Sequence, residues 1–288
     1  MRVAAKRRRA GWVIASQLLE GTQRQIRLEN GEWVEVVQMG AGDPVVLVPG
    51  LAGGWRLVAP LALRLARRYQ VTVCGLRGDR FPTGGPWARE MGDHADDLAE
   101  VLGQLRLERP AVVGVSFGGA IALELACEQP QRVGALVVLG AAARFRASIA
   151  ATIARRVLER FPLPIDNRFV NQFFNLLHGG KPEPGPLAEF VVERCWETDQ
   201  SVMARRLALL ESFDVADRLW RIDAPTLVMG GTRDVVVPLA DQKALASSIP
   251  GARFESLEGA GHVGFLTHRR DVALAVARHL RQVKLSTC

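Results

Sequence analysis

Residues 24–39 alternate apolar and polar side chains on either side of Asn30-Gly31, a dipeptide that between β-prone runs predicts an antiparallel hairpin. Downstream the pattern changes. Short unbroken apolar runs recur at residues 44–48, 70–74, 111–115, 133–139, 225–229 and, more weakly, 253–257, and runs of that length suit strands covered on both faces. Helix-like periodicity fills the gaps at residues 57–68, 93–105, 117–128, 239–248 and 271–283. The alternation predicts an α/β fold: a mostly parallel, twisted sheet with helices on both faces, entered through the hairpin.

One stretch breaks the rhythm. From residue 144 to 221 there is no strand-like run, only helix-like segments and the Pro-Gly punctuation of residues 181–186. The expected division is a basic N-terminal segment (1–23), a core made of 24–143 and 222–288, and a helical cap or lid (144–221). Half of the chain's aromatic residues fall in the insertion: Phe145, Phe161, Phe169, Phe173, Phe174, Phe190, Trp196, Phe213 and Trp220. A lid over an apolar cleft needs such rings, and so does a segment glued to a sheet domain.

Composition narrows the functional classes. With 48% hydrophobic and 23% charged residues the chain is no disordered polymer, and 288 residues fit one large α/β domain. The formal charge of +7 is mostly local, because Arg2, Lys6, Arg7, Arg8 and Arg9 supply five of those charges and leave +2 for the remainder. The body therefore has no basic excess that would call for a nucleic acid, and the tail reads as a solvated basic end. The apolar run after it breaks at Ser16-Gln17 with no small-residue cleavage site, so neither a signal peptide nor a membrane span is expected. Cys74, Cys127, Cys195 and Cys288 lie far apart, which argues against a disulfide framework and a zinc site and points to a cytoplasmic location. Oligomeric state has no signature in the sequence.

Gly114-Val115-Ser116-Phe117-Gly118 is the strongest local signal, because it lies between an apolar run and a helix-like segment, the strand-turn-helix setting of a nucleophile elbow. A serine hydroxyl needs a base. Of His94, His178, His262, His268 and His279, only His262 follows a predicted strand in a glycine-rich loop, Glu258-Gly259-Ala260-Gly261-His262, while the others read as surface or packing histidines. The base needs a carboxylate to fix its tautomer. Asp234 follows the apolar run 225–229, the loop after residue 139 (Gly140-Ala141-Ala142-Ala143) offers no acid, and Asp223 and Asp241 read as surface or capping residues.

The order Ser116, Asp234, His262, together with Val48-Pro49-Gly50-Leu51-Ala52-Gly53-Gly54, Asp223-Ala224-Pro225-Thr226-Leu227 and Asp234-Val235-Val236-Val237-Pro238, resembles the α/β-hydrolase family and its lidded esterase and lactonase branch, from about residue 43 to the final helix. The resemblance implies an oxyanion hole made by the backbone N–H groups of Leu51 and Phe117. It also implies cleavage of a carboxylic ester or lactone with no metal or organic cofactor, and the aromatic-rich insertion predicts a small and largely apolar substrate. There are departures. Pro49 stands where many relatives have His, Gly75-Leu76-Arg77-Gly78 lacks the leading Asp of their Asp-x-Arg-Gly pattern, and Val263 replaces the Trp frequent in carbon–carbon hydrolases. A serine nucleophile argues against dehalogenase and epoxide hydrolase chemistry. Thioesterase, perhydrolase and carbon–carbon hydrolase activities, or a ligand-binding protein without turnover, remain open alternatives.

Overall fold

A computed structural model of the chain describes residues 21–79, 87–145, 149–160, 171, 174–180, 182 and 184–283. The basic tail, Arg80-Phe81-Pro82, Phe161, Phe169, Phe173 and Cys288 lie outside the described residues. Eight strands form one sheet: β1 Thr22–Arg27, β2 Trp33–Met39, β3 Pro44–Val48, β4 Gln70–Cys74, β5 Ala111–Val115, β6 Ala135–Leu139, β7 Thr226–Gly231 and β8 Arg253–Leu257. Their order is β1-β2-β4-β3-β5-β6-β7-β8, antiparallel from β1 to β2 and β2 to β4 and parallel elsewhere.

The unbroken apolar runs are explained by burial on two sides. In β3, Val45 and Leu47 join one hydrophobic cluster while Val46 and Val48 join the other; β6 divides Val137 and Leu139 from Leu136 and Val138 in the same way. Successive side chains of a strand point to opposite faces, so both faces select mainly apolar residues, and each buried Val or Leu contributes about 1.5–3 kcal/mol. Helices α1 (Gly54–Leu65) and α8 (Arg269–Gln282) cover the first face. The second is covered by α2 (Met91–Gln104), α3 (Phe117–Glu128) and α7 (Leu239–Ser248).

Within 144–221 lie α4 (Ile149–Arg160), α5 (Pro186–Cys195) and α6 (Gln200–Ser212). Arg155 of α4 pairs with Glu211 of α6 at 3.0 Å, and α6 sends Met203 into the first cluster and Leu209 into the second. Phe174 and Phe213 are buried, and Trp196 packs edge-on against Phe174 at 5.6 Å while its Nε1–H donates to Asn171 Oδ1. These rings fasten the segment to the core, whereas Trp220 is 70% exposed.

Some boundaries move from their expected positions, each for a local reason. Helix α1 starts at Gly54 instead of residue 57, because Gly53 at φ 79° turns the chain so that its carbonyl accepts from Leu57 N–H at 3.0 Å. The hairpin connection spans residues 28–32 and is closed by Leu28 N–H to Glu32 O at 2.8 Å, with Gly31 in the left-handed region. β7 runs on through Gly230-Gly231, since a Cβ at Gly231 would overlap the Ala260 carbonyl.

Because β3, β5, β7 and β8 are parallel, the loops that follow them emerge at one edge of the sheet. That edge collects residues 49–53, 116, 232–238 and 258–263.

Candidate active site

Ser116 follows β5 without a spacer and adopts φ 53°, ψ −113°. A non-glycine residue there stores about 1–3 kcal/mol of strain, which persists only when neighbours over-determine it. They do. Ser116 N–H donates to Leu139 O at 2.8 Å, and its carbonyl accepts from Gly119 N–H at 2.8 Å and Ala120 N–H at 3.1 Å. Glycines make the approach possible: a Cβ on Gly118 would overlap the carbonyl oxygens of Val48 and Pro49, and one on Gly119 would lie 2.7 Å from Ala141 Cβ.

Asp234 sits in the loop after β7, tied to the β8 loop by Thr232 N–H to Leu257 O (3.1 Å) and Arg233 N–H to Ala260 O (2.9 Å). Its side chain is 1% exposed. Oδ1 accepts from the N–H groups of Val236 and Val237 at 2.9 Å each, and Oδ2 accepts from His262 Nδ1 at 2.9 Å and Gln242 Nε2 at 3.3 Å. Burial alone would raise this carboxyl, but the His262 imidazole and the two backbone donors outweigh it and hold the group below the ordinary carboxylate range.

His262 completes the line. Its loop is fixed by Gly259 N–H to Thr232 Oγ1 (2.9 Å) and Val263 N–H to Leu177 O (2.9 Å), and Gly261 lies so close to the His178 backbone that a Cβ there would overlap it. His262 Nε2 stands 2.8 Å from Ser116 Oγ. With Asp234 able only to accept, Nδ1 carries the ring proton and Nε2 accepts from the serine hydroxyl. The three side chains read from the sequence thus meet in one hydrogen-bonded chain across the β5, β7 and β8 loops.

The remaining histidines stand apart. His94 is buried edge-on against Phe117 at 5.3 Å, and burial, then Arg206 and Arg77, push its pKa well below the usual value. His279 is also buried and bonds Pro225 O and Arg253, while His268 pairs with Thr267 and His178 offers its backbone to Gly261. Asp223 is exposed and Asp241 lies in the first turn of α7.

Leu51 lies three residues beyond β3, whose Val48 is in register with Gly114 of β5, and a Cβ on Gly50 would come within 3.7 Å of Ser116 Cβ. Phe117 is the first residue of α3. Among the described residues no backbone carbonyl accepts from the N–H of either Leu51 or Phe117. Backbone N–H groups without a carbonyl partner are free to donate to another acceptor. Three contributors were not legible in the sequence: Gln242, which adds a donor to Asp234, and Thr198 and Arg206, which bond the residue 50–54 turn. The signal for Arg206 is its position on the buried stripe of α6 with Val202, Met203 and Leu207. Among the described residues no three His, Cys, Asp or Glu side chains are grouped to hold a metal ion, and no helix is long and apolar enough to cross a membrane.

Comparison with known proteins agrees with this fold. The α/β hydrolase fold family model matches residues 43–269. The chain is 31% identical over 255 residues to a pimeloyl-[acyl-carrier protein] methyl ester esterase of Xanthomonas campestris pv. campestris, covering 83% of this chain and 96% of the relative. Among solved structures, an esterase from Exiguobacterium antarcticum superposes with a TM-score of 0.81 at 23% identity, covering 90% of this chain and all of that one. A thermophilic esterase from Thermogutta terrifontis does so at 0.74 and 25% identity, covering 92% of this chain and all of that one.

Two outcomes follow for stability. Ser116→Gly and Ser116→Ala both lose the hydroxyl, but only glycine relaxes the backbone, so chemical denaturation will show the glycine variant more stable by about 1 kcal/mol; equal midpoints would mean the turn is unstrained. A carboxyl held below its ordinary pKa contributes stability that is present above the unfolded value of about 3.9 and is lost as pH falls through the folded value. Urea titrations should therefore show the wild type losing stability relative to Asp234→Asn as pH drops below about 3.9; parallel curves would refute the assignment.

Proposed function

The chain belongs to the α/β hydrolase fold family, and on that premise we propose that it hydrolyses a carboxylic ester, acyclic or lactone, through an acyl-enzyme at Ser116. The carrying observation is His262, whose Nδ1 lies 2.9 Å from Asp234 and whose Nε2 lies 2.8 Å from Ser116. In this reading Ser116 Oγ attacks the carbonyl carbon as its proton passes to His262 Nε2. The tetrahedral oxyanion is held by the Leu51 and Phe117 N–H groups. The C–O bond to the alcohol then breaks, and His262 returns the proton to the leaving oxygen. Water, deprotonated by His262, attacks the acyl-enzyme, and collapse releases the acid and restores Ser116. Asp234 keeps the imidazole in one tautomer and offsets the charge of the imidazolium.

Several features favour this reading over its neighbours. The 31% identical relative is named for cleaving a methyl ester. Val263, directly after the base, is a buried aliphatic residue in place of Trp, which disfavours carbon–carbon hydrolysis. In this reading residues 144–221 form a cap over the site, and the acyl group it receives is largely apolar.

Short-chain p-nitrophenyl and methyl esters test the reaction. Turnover should fall by about 10⁴-fold in Asp234→Asn and at least as far in Ser116→Ala. Methyl esters and lactones should outrun a thioester and a vinylogous diketone. Wild-type rates no higher than those of Ser116→Ala would dispose of the proposal.

A further inference from the structure

Arg206 is the largest of the fully buried side chains, a cation 2% exposed on α6, far in sequence from Ser116. Its contacts are specific. Nη1–H donates to Leu51 O at 2.8 Å, and Nη2–H donates to Arg77 O at 2.9 Å and Asp79 Oδ1 at 2.8 Å. The guanidinium carbon lies 5.8 Å from the centre of the Phe117 ring. Asp79, only 15% exposed, neutralises the charge and accepts at its other oxygen from Leu76 N–H at 2.9 Å.

One side chain from the insertion thus touches both residues proposed to form the oxyanion hole: the carbonyl side of Leu51 and the ring of Phe117. A second strut arrives from the same segment, where Thr198 Oγ accepts from Gly53 N–H at 2.9 Å in a buried position. The turn between β3 and α1 is glycine-rich, with Gly53 and Gly54 both at positive φ, so its own sequence does little to fix its peptide planes. Burying a charge there is costly, the more so because Arg206 Nε has no hydrogen-bond partner among the described residues. An aliphatic residue would fill the same stripe of α6 without that cost, so packing alone does not call for an arginine.

We infer that Arg206 is a positioning residue for the oxyanion pocket: by fixing the Leu51 carbonyl, with Thr198 fixing Gly53, it aims the Leu51 N–H at the reacting carbonyl and makes that aim depend on the seating of the insertion. The inference rests on the proposed acyl-enzyme reading. Its signature is a loss in the transition state with little loss in substrate binding, because the donor strengthens only as charge develops on the substrate oxygen.

The test is the kinetics of full-length Arg206→Met, Arg206→Lys and Thr198→Val on p-nitrophenyl butyrate, with active sites counted by the burst of p-nitrophenol. Removing a whole oxyanion donor costs about 10²–10³ in kcat. Misaiming one should lower kcat per active site about 10- to 100-fold in Arg206→Met, with KM changed less than about threefold. Arg206→Lys, which can still reach one carbonyl, should recover part of the loss, and Thr198→Val should lose about three- to tenfold. Should Arg206→Met fail to fold, the other two variants decide alone. Unchanged kcat per site, or a loss carried by KM or by fewer active sites, would overturn the role of Arg206. A wild-type enzyme with neither burst nor turnover would instead overturn the acyl-enzyme reading itself, and the inference with it.

Discussion

A neutral imidazole has one donor and one acceptor nitrogen, and everything at the sheet edge follows from how His262 spends them. Nδ1 must give its proton to an acceptor that cannot give one back, and Asp234, ionised and held by two backbone N–H groups, is such an acceptor. Only then does Nε2 face Ser116 with its lone pair free. Three loops have to present their residues within hydrogen-bond reach, and parallel strands do this by delivering their carboxyl ends to one rim. The buried aliphatic sheet is the foundation on which a distance of 2.8 Å can be held.

Precision at that rim is obtained by close backbone approach. Gly118 lets α3 come down on β3, Gly231 lets the Asp234 loop meet the His262 loop, and Gly261 lets the latter lean on residues 178 and 179. The same crowding maintains Ser116 in a conformation it would not choose alone. Strain at one residue is therefore sustained by packing many residues away, which is how a nucleophile comes to stand proud of a turn without the turn relaxing.

The sheet and the Ser116, Asp234 and His262 line were legible because their signals are local. Buried parallel strands write themselves as short apolar runs, and an elbow writes itself as small residues around a serine. The apolar run stops at residue 229 yet β7 continues through Gly230-Gly231, because the need for glycine comes from Gln242 at residue 230 and from Ala260 and Gly261 at residue 231, all distant in sequence. Arg206, Thr198 and Gln242 were illegible for the same reason: an arginine in a helix reads as surface, and only the fold places it under Leu51. His94, read as a surface or packing residue, is buried against Phe117, which its sequence neighbours do not disclose. Half of the aromatic residues fall within residues 144–221, and those described there act mainly as fasteners to the core.

Ser116 is proposed to be a nucleophile activated through His262. Site-resolved mass spectrometry after reaction with a fluorophosphonate measures this directly. A covalent adduct is expected on Ser116 and on no other serine, formed at a rate that falls by at least about 10³-fold in His262→Ala. An unlabelled Ser116, or labelling at the same rate without the imidazole, would contradict it.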